Sequence, residues 1–358
     1  MAHPDARTSL GGQLGTVKVA VVIIATILTG FTLYALRRML EPFVMALFLL
    51  IMVDGVARLL NARVPGFPKK AALPVAIGAI VLVFALTIWI TADNAHALAL
   101  QAPTYTAHIN TLLSNGAQRL GLNVTPTLAD LIEKLNPSRF AGVLAEAVSH
   151  FAEAAVFVLI YLGFLVASRQ GFAAKTSQLF GSAEDRAEAQ RVFFRVRRGV
   201  EQYIWVQTLV GVLITALSAV LMTLTGLSHI PFWCLIIFMA NYIPAVGAAI
   251  GVLFPALFGL VEVDGVTRAI VLLVGLEAIH FLVSHVVQPR MQGKSLNVDP
   301  IVVLLALAFW SAVWGVTGAF LSTPLTVLAM AILAEFKGTR PLAVLLSGDG
   351  RPDADMAD

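Results

Sequence analysis

Glu277, His280 and Ser284 fall at i, i+3 and i+7, which places a carboxylate, an imidazole and a hydroxyl on one helical face. His285 flanks that face. A Glu–His pair at this spacing can bind a proton or polarise a polar solute, because histidine titrates near neutrality. It can equally be a satisfied hydrogen bond that orients packed helices. The surrounding stretch is apolar, and an ionisable residue there costs ~2.5–3.5 kcal/mol to insert, which points to function. The run Asn241-Tyr-Ile-Pro-Ala-Val-Gly247 offers different chemistry. Pro244 has no N–H, so a carbonyl one turn earlier loses its donor. Gly247 and Gly251 let a backbone or a ligand come close, and Asn241 adds an amide. Gly315 and Gly318 form a similar break further along the chain. The competing reading of both breaks is a packing kink with small-residue helix contacts.

Three other sets are weaker. Glu146, His150 and Glu153 make one stripe that could hold a metal ion, but a single helix rarely closes a site, so a wet boundary face is the expectation. Asp54 lies four residues before Arg58, a spacing that suits an interfacial ion pair better than a proton relay. Cys234 is the only cysteine, which excludes an intrachain disulfide and a cysteine metal cluster. The chain contains no His-Glu-x-x-His helix, no Gly-x-Ser-x-Gly elbow and no Walker P-loop. We therefore expect no enzyme, no cofactor and no bound metal.

The elements that position these residues follow from solvent. Hydrophobic residues make up 58% of the 358, charged residues only 13%, and mean hydropathy is +0.86. Soluble domains run nearer half apolar and a quarter charged, so lipid must be the solvent for much of this chain. The small net charge of +3, with no basic stripe bearing interleaved aromatics, excludes nucleic acid as a sensible partner. About 20 apolar residues cross a ~30 Å hydrocarbon core. On that ruler the spans are 17–36, 43–60, 72–92, 148–168, 202–226 and 268–288. Two further apolar blocks, 230–261 and 299–334, are too long for single straight spans. Each carries prolines 24 residues apart, Pro231 to Pro255 and Pro300 to Pro324, with a glycine-bearing break near its middle.

Lysine and arginine accumulate on the cytoplasmic side of membranes. Segments 58–70 and 169–201 are rich in them, whereas 93–147 holds only Arg119, Lys134 and Arg139. The N-terminal tail 1–16 then lies inside and 93–147 outside, while Arg37-Arg38 falls in the first outer loop against the rule. If each long block crosses once, Arg290 and Lys294 lie outside; if each is a re-entrant hairpin, they lie inside with Glu262 and Asp264 outside. The hairpin arrangement obeys the charge rule better and makes the two units inverted repeats, a signature of secondary transporters. The expected fold is an all-α polytopic membrane protein. It has about six full spans and two broken or re-entrant hairpins, or eight spans if the hairpins cross, with an inverted repeat in the C-terminal half.

Its expected organisation is a tail 1–16, helices 17–92 and a small extracytoplasmic helical domain 93–147. A fourth span 148–168, a basic helical segment 169–201, a transport core 202–335 and a tail 336–358 follow. Within 93–147, Thr125-Pro126 and Asn136-Pro137 each place an N-cap residue before a proline at the first helical position. The stretch 341–358 is expected to be polar, poor in helical pattern and disordered.

Several motifs together resemble the autoinducer-2 exporter family of permease-like bacterial membrane proteins. The matching residues are Tyr203 and Gln207, Asn241–Gly247, Gln288-Pro289-Arg290 and Gly293-Lys294-Ser295-Leu296. Asp299-Pro300, Trp310, Gly315, Gly318 and Pro324 continue the set. The resemblance is densest over 195–335 and collinear over 20–195. It implies an inner-membrane transporter, often a homo-oligomer, with activities that include efflux of a quorum-sensing signal and sodium/proton antiport. It also implies that Gln207 joins the other site candidates. Family members often carry Glu and Asn shortly before the Pro-Arg motif, where this chain has Val283 and His285, and an Asn/Asp-Pro pair where it has Asp54-Gly55. The expected function is therefore alternating-access transport, outward, of a small polar solute or a signalling molecule such as a quorum-sensing autoinducer, with the two breaks lining the site. A cation/proton antiporter using Glu277 and His280 is the alternative, and a non-transporting scaffold a third.

Overall fold

The computed structural model describes residues 6–65, 67–119, 137–169, 171, 182–262, 266–292, 298–336 and 338–351. Among them the fold is helical throughout, apart from turns and one isolated bridge between Val298 and Ser347. The helices are α1 (Ala6–Ala35), α2 (Arg37–Arg63), α3 (Lys69–Arg119), α4 (Pro137–Ala167) and α5 (Ala183–Thr225). After them come α6 (Ile230–Ala240), α7 (Val246–Glu262) and α8 (Val266–Leu282), the last running through a π-helical turn, Val283–Val287, into α9 (Gln288–Gln292). The chain ends in α10 (Pro300–Glu335) and α11 (Arg340–Leu346).

Six helices are long and apolar enough to cross a membrane: Arg37–Arg63, Lys70–Asn94, Ser149–Ala167, Arg186–Thr225, Val266–Met291 and Pro300–Glu335. Shorter apolar helices cover Ala20–Ala35, Ile230–Ala240 and Val246–Leu260. Their outward faces carry Phe31, Leu82, Trp89, Phe164, Leu224 and Leu305, all well exposed. Water would penalise such a surface; hydrocarbon does not. The molecule is a multi-pass membrane protein.

Both long blocks fold back on themselves as helical hairpins. In the first, α6 and α7 pack against each other, and the Ser228 N–H donates to Glu262 Oε2 at 2.9 Å, which brings the two ends together. In the second, Trp314 (φ −126°, ψ 17°) and Gly315 (φ 60°, ψ −136°) leave helical geometry and fold α10 into two legs. Val298, before the first leg, packs in the same cluster as Met330 and Ala334 of the second. Helix α11 fastens both ends: Ala343 is fully buried in that cluster, and the Asp299 N–H donates to the Leu346 carbonyl at 3.1 Å. The run α8–α9 leaves the ends of the first hairpin and reaches those of the second, roughly 40 Å away at 1.5 Å per residue.

Packing divides the rest. Ala46, Val53, Ala76, Ile80, Val158 and Leu162 bind α2, α3 and α4 into one bundle. Val210, Ile214, Met222, Ile237, Leu272 and Leu276 form a separate core of α5, α6 and α8, joined by Val252 of α7. A third cluster, with Phe48 of α2, Val200 of α5 and Trp314 and Leu321 of α10, bridges them.

Four local expectations change. Helix α3 passes residue 92 unbroken to Arg119, even through Pro103, and α5 likewise joins the basic segment from Ala183 onward to its span. Pro137 does begin α4, whereas Thr125-Pro126 and Asn136 lie outside the described residues. Arg37-Arg38 occupies no loop: only Leu36 separates α1 from α2, and the Arg37 guanidinium sits 4.6 Å over the Tyr34 ring, which shelters its charge. The stretch after 340 is not a structureless tail, since Pro341-Leu-Ala-Val-Leu-Leu346 is apolar enough to dock as α11.

Candidate functional site

The first break is a folded turn between α6 and α7. Asn241 keeps a helical conformation (φ −55°, ψ −25°), and Ala245, a residue with a side chain, takes φ 61° to reverse the chain. The carbonyl one turn before Pro244 is that of Ala240, and it does not stay unpaired: the Ile243 N–H reaches it at 2.8 Å. The Gly247 N–H closes the turn onto the Ile243 carbonyl at 2.8 Å. A methyl group on Gly247 would lie 2.0 Å from the Ala240 carbonyl oxygen, so only glycine permits this closure.

Side chains from two other helices hold the turn in place. Gln207 of α5, itself buried, donates from Nε2 to the Asn241 carbonyl, while Asn241 Nδ2 donates to the Gln207 carbonyl at 3.2 Å. Gln207 Oε1 accepts from Gln288 Nε2 at 3.3 Å, which brings in α9. One turn along α5, Gly211 makes room for the Asn241 amide, 3.0 Å from where a methyl would stand. Beside this network the Thr208 hydroxyl donates to the Ile204 carbonyl at 2.7 Å. Its contact with the Tyr242 hydroxyl, also 2.7 Å, therefore has tyrosine as the donor.

Tyr242 carries the site across to the second hairpin. Its ring stacks on Phe320 with centroids 4.6 Å apart. At that hairpin's break, a methyl on Gly318 would lie 1.9 Å from the Trp310 carbonyl oxygen, the counterpart of Gly247. Trp314 packs on Trp310 and donates its indole N–H to the Leu33 carbonyl of α1 at 3.2 Å. Ser322 and Thr326 beyond the break turn their hydroxyls back onto carbonyls of their own helix. The structure thus brings Gln207, Asn241, Pro244 and Gly247 to one region, which Tyr242 joins to the Gly315–Gly318 break through Phe320, and every hydrogen-bonding side chain just named is uncharged. Sequence reasoning singled out neither Thr208, Gly211 nor Phe320, and treated Tyr242 and Gln288 only as parts of motifs. Thr208 and Gly211 flank Gln207 at one and four residues, which was the available signal.

The Glu277 set behaves differently. His280 is 3% exposed, and its Nε2 is buried without a hydrogen-bond partner, 3.0 Å from where a methyl on Gly251 would stand. Glu277, three residues earlier, faces outward and makes no ion pair with it among the described residues. Ser284 is half-buried and His285 exposed, with His285 Nδ1 bonded to the Phe281 carbonyl at 3.0 Å. The π turn beginning at Val283 breaks the α-helical register, so spacing could not place these two.

Asp54 is in an ion pair, but not with Arg58. It accepts from Arg169 through one oxygen and from Arg197 through the other, at 2.9 Å, whereas Arg58 pairs with Glu201. His150 and Glu146 are 3.7 Å apart on an open face, and among the described residues no group of three or more His, Cys, Asp or Glu is placed to hold a metal ion. Gly293–Leu296 and Asp264 lie outside the described residues.

Residues 22–338 match the profile described as AI-2E family transporter. A Haemophilus influenzae protein named "Putative transport protein" is 26% identical over 347 residues, covering 95% of this chain and 96% of its own length. The Escherichia coli protein named "AI-2 transport protein TqsA" is 24% identical over 314 residues, covering 86% of this chain and 88% of its own. A second Escherichia coli protein, named "Putative transport protein YhhT", is 30% identical over 158 residues, 44% of this chain and 45% of its own length.

Proposed function

The chain belongs to the AI-2E family of transporters, and on that premise we propose that it moves a small, uncharged polar solute by alternating access, with the solute held where the two hairpin tips meet. The observation that carries this reading is the partly buried, uncharged network of Gln207, Asn241, Gln288, Thr208 and Tyr242 at the tip of the first hairpin, from which Tyr242 reaches Phe320 of the second. Interrupted helices near the midplane expose backbone and amide groups to a ligand without exposing them to lipid. A solute with both donors and acceptors could replace these internal bonds one for one, so its binding need not leave a buried group unpaired. In this reading the chain sits in a bacterial inner membrane with the Asp54 end and both termini on the cytoplasmic side, the orientation that the basic segments favour. The isolated chain leaves Glu277 facing outward in an apolar surface, which favours a homo-oligomer.

A relative named for transport of autoinducer-2 makes that signal the first solute to try. Purified protein in liposomes loaded with autoinducer-2 should release it faster than empty liposomes, and Gln207→Leu should lose most of that gain. Release at the Gln207→Leu rate equal to that of the unaltered protein would remove the network from the transport route.

The second reading, sodium/proton antiport, rests on His280, whose buried Nε2 lies unpartnered beside Gly251 and close to Glu277. It requires that a sodium pulse change the internal pH of the liposomes, and that Glu277→Gln abolish the change. Solute release with no sodium-driven pH change would decide for the first reading.

A further inference from the structure

We propose that the charged cluster Asp54–Arg169–Arg197 with Arg58–Glu201 is a lock that closes the molecule on its basic face, holding the α2–α4 bundle against α5 of the core. It rests on the alternating-access reading, but its test needs no solute.

The cluster joins the two bodies that apolar packing separates, α2 and α4 of the bundle and α5 of the core. Asp54 and Arg58 sit near the end of α2, Arg169 follows α4, and Arg197 and Glu201 lie on α5. Both oxygens of Asp54 are used, Oδ1 by Arg169 and Oδ2 by Arg197, so Arg169 holds the carboxylate in place for the arginine of the core. Gly55 adds closeness: a methyl there would lie 3.1 Å from Glu201 Oε1. Immediately inside the cluster, Val200 is 1% exposed and packs in the cluster that holds Phe48, Val313 and Trp314, which seals the way to the hairpin tips.

On the opposite face, the side-chain hydrogen bond between bundle and core is much slighter. Asn94 of α3 donates from Nδ2 to the Ile90 carbonyl, so its Oδ1 must accept from His229 Nδ1, at 2.8 Å. Among the described residues, one neutral hydrogen bond stands there against two ion pairs between bundle and core, Asp54–Arg197 and Arg58–Glu201, with Arg169 bracing Asp54 from within the bundle. Ion pairs that are partly buried, as these are, lose more on separation than an exposed pair does. The structure is therefore the state closed to the basic face, and opening there requires the arginines to leave Asp54 and Glu201.

The test uses the full chain with Cys234→Ala and one reporter at a time, Val200→Cys between the bodies or Leu272→Cys within the core. Each is followed with a maleimide added to the basic face in inverted vesicles. In the otherwise unaltered protein both reporters should be slow. Asp54→Asn, or Glu201→Gln, should speed labelling of Val200→Cys by roughly ten-fold, the scale of a typical conformational coupling, and leave Leu272→Cys slow. Raising the salt concentration should speed Val200→Cys in the unaltered lock by less than either substitution does, since ions screen the more exposed Arg58–Glu201 pair and leave the Asp54 pairs largely intact. Unchanged labelling of Val200→Cys in both variants would overturn the proposal. Equal acceleration at both reporters would also overturn it, because the cluster would then brace the whole fold. Failure of Gln207→Leu to affect solute release would count against the solute site alone and leave this result standing.

Discussion

The two hairpins solve one problem with different residues. Each must reverse an apolar chain inside the membrane, and each presses a glycine, Gly247 or Gly318, against a carbonyl seven or eight residues earlier. In the second, the reversal itself is left to Gly315, whose φ of 60° and ψ of −136° suit glycine, and the preceding Trp314 packs on Trp310. In the first, Ala245 takes φ 61°, a conformation that disfavours any side chain, and polar groups from α5 and α9 hold the turn in compensation. A turn kept by conformational freedom alone is structural. One that is strained and then stitched by exchangeable hydrogen bonds can be released by a ligand that competes for them.

Substitutions can break this contrast in graded steps, each read as unfolding in mild detergent. Gly247→Ala and Gly318→Ala should be the most damaging, at ~3 kcal/mol or more each, since a methyl would overlap a backbone carbonyl that cannot move aside. A mild effect at only one would show that its hairpin closes by another route. Gly315→Ala should cost about 1–3 kcal/mol for the disfavoured backbone conformation. At the first hairpin, Gln207→Leu should cost about 1–2 kcal/mol, because it removes a donor and an acceptor from a buried network. Ala245→Gly should have the opposite sign and stabilise by roughly 0.5 kcal/mol, as relief of the left-handed strain exceeds the entropy glycine adds to the unfolded chain. Destabilisation by Ala245→Gly would mean that the alanine is not strained, and the contrast between the hairpins would fall. Thr208→Val should be least, about 0.6 kcal/mol for one interhelical hydrogen bond.

Much of this was legible in the sequence. The spans follow from apolar runs, and the matching Pro231–Pro255 and Pro300–Pro324 intervals already announced two broken units. The charge rule favoured hairpins over crossings, and the hairpin ends now found together agree with it. Gly247 and Gly318 stood out because glycine in an apolar helix needs a reason, and the reason is a carbonyl at 2 Å or less. What sequence spacing could not give was any contact between helices. It paired Asp54 with Arg58 because they share a helix face, yet arginines from outside α2 outcompete that neighbour. It grouped Glu277 with His280, although a turn of helix at the edge of the core buries one and exposes the other. It expected the carbonyl before Pro244 to be open, and the turn found Ile243 to fill it.

The most direct test of the opposed re-entrant hairpins is sided thiol labelling. With Cys234→Ala as background, single cysteines replace Ser228 and Val266, which flank the first hairpin, and Asp299 and Gly338, which flank the second. An impermeant maleimide is added to intact cells and to inverted membrane vesicles. Ser228→Cys and Val266→Cys should label together in intact cells, and Asp299→Cys and Gly338→Cys together only in inverted vesicles. Labelling of Ser228→Cys and Val266→Cys from opposite sides would mean that the first block crosses the membrane, and a site formed between hairpin tips could not exist.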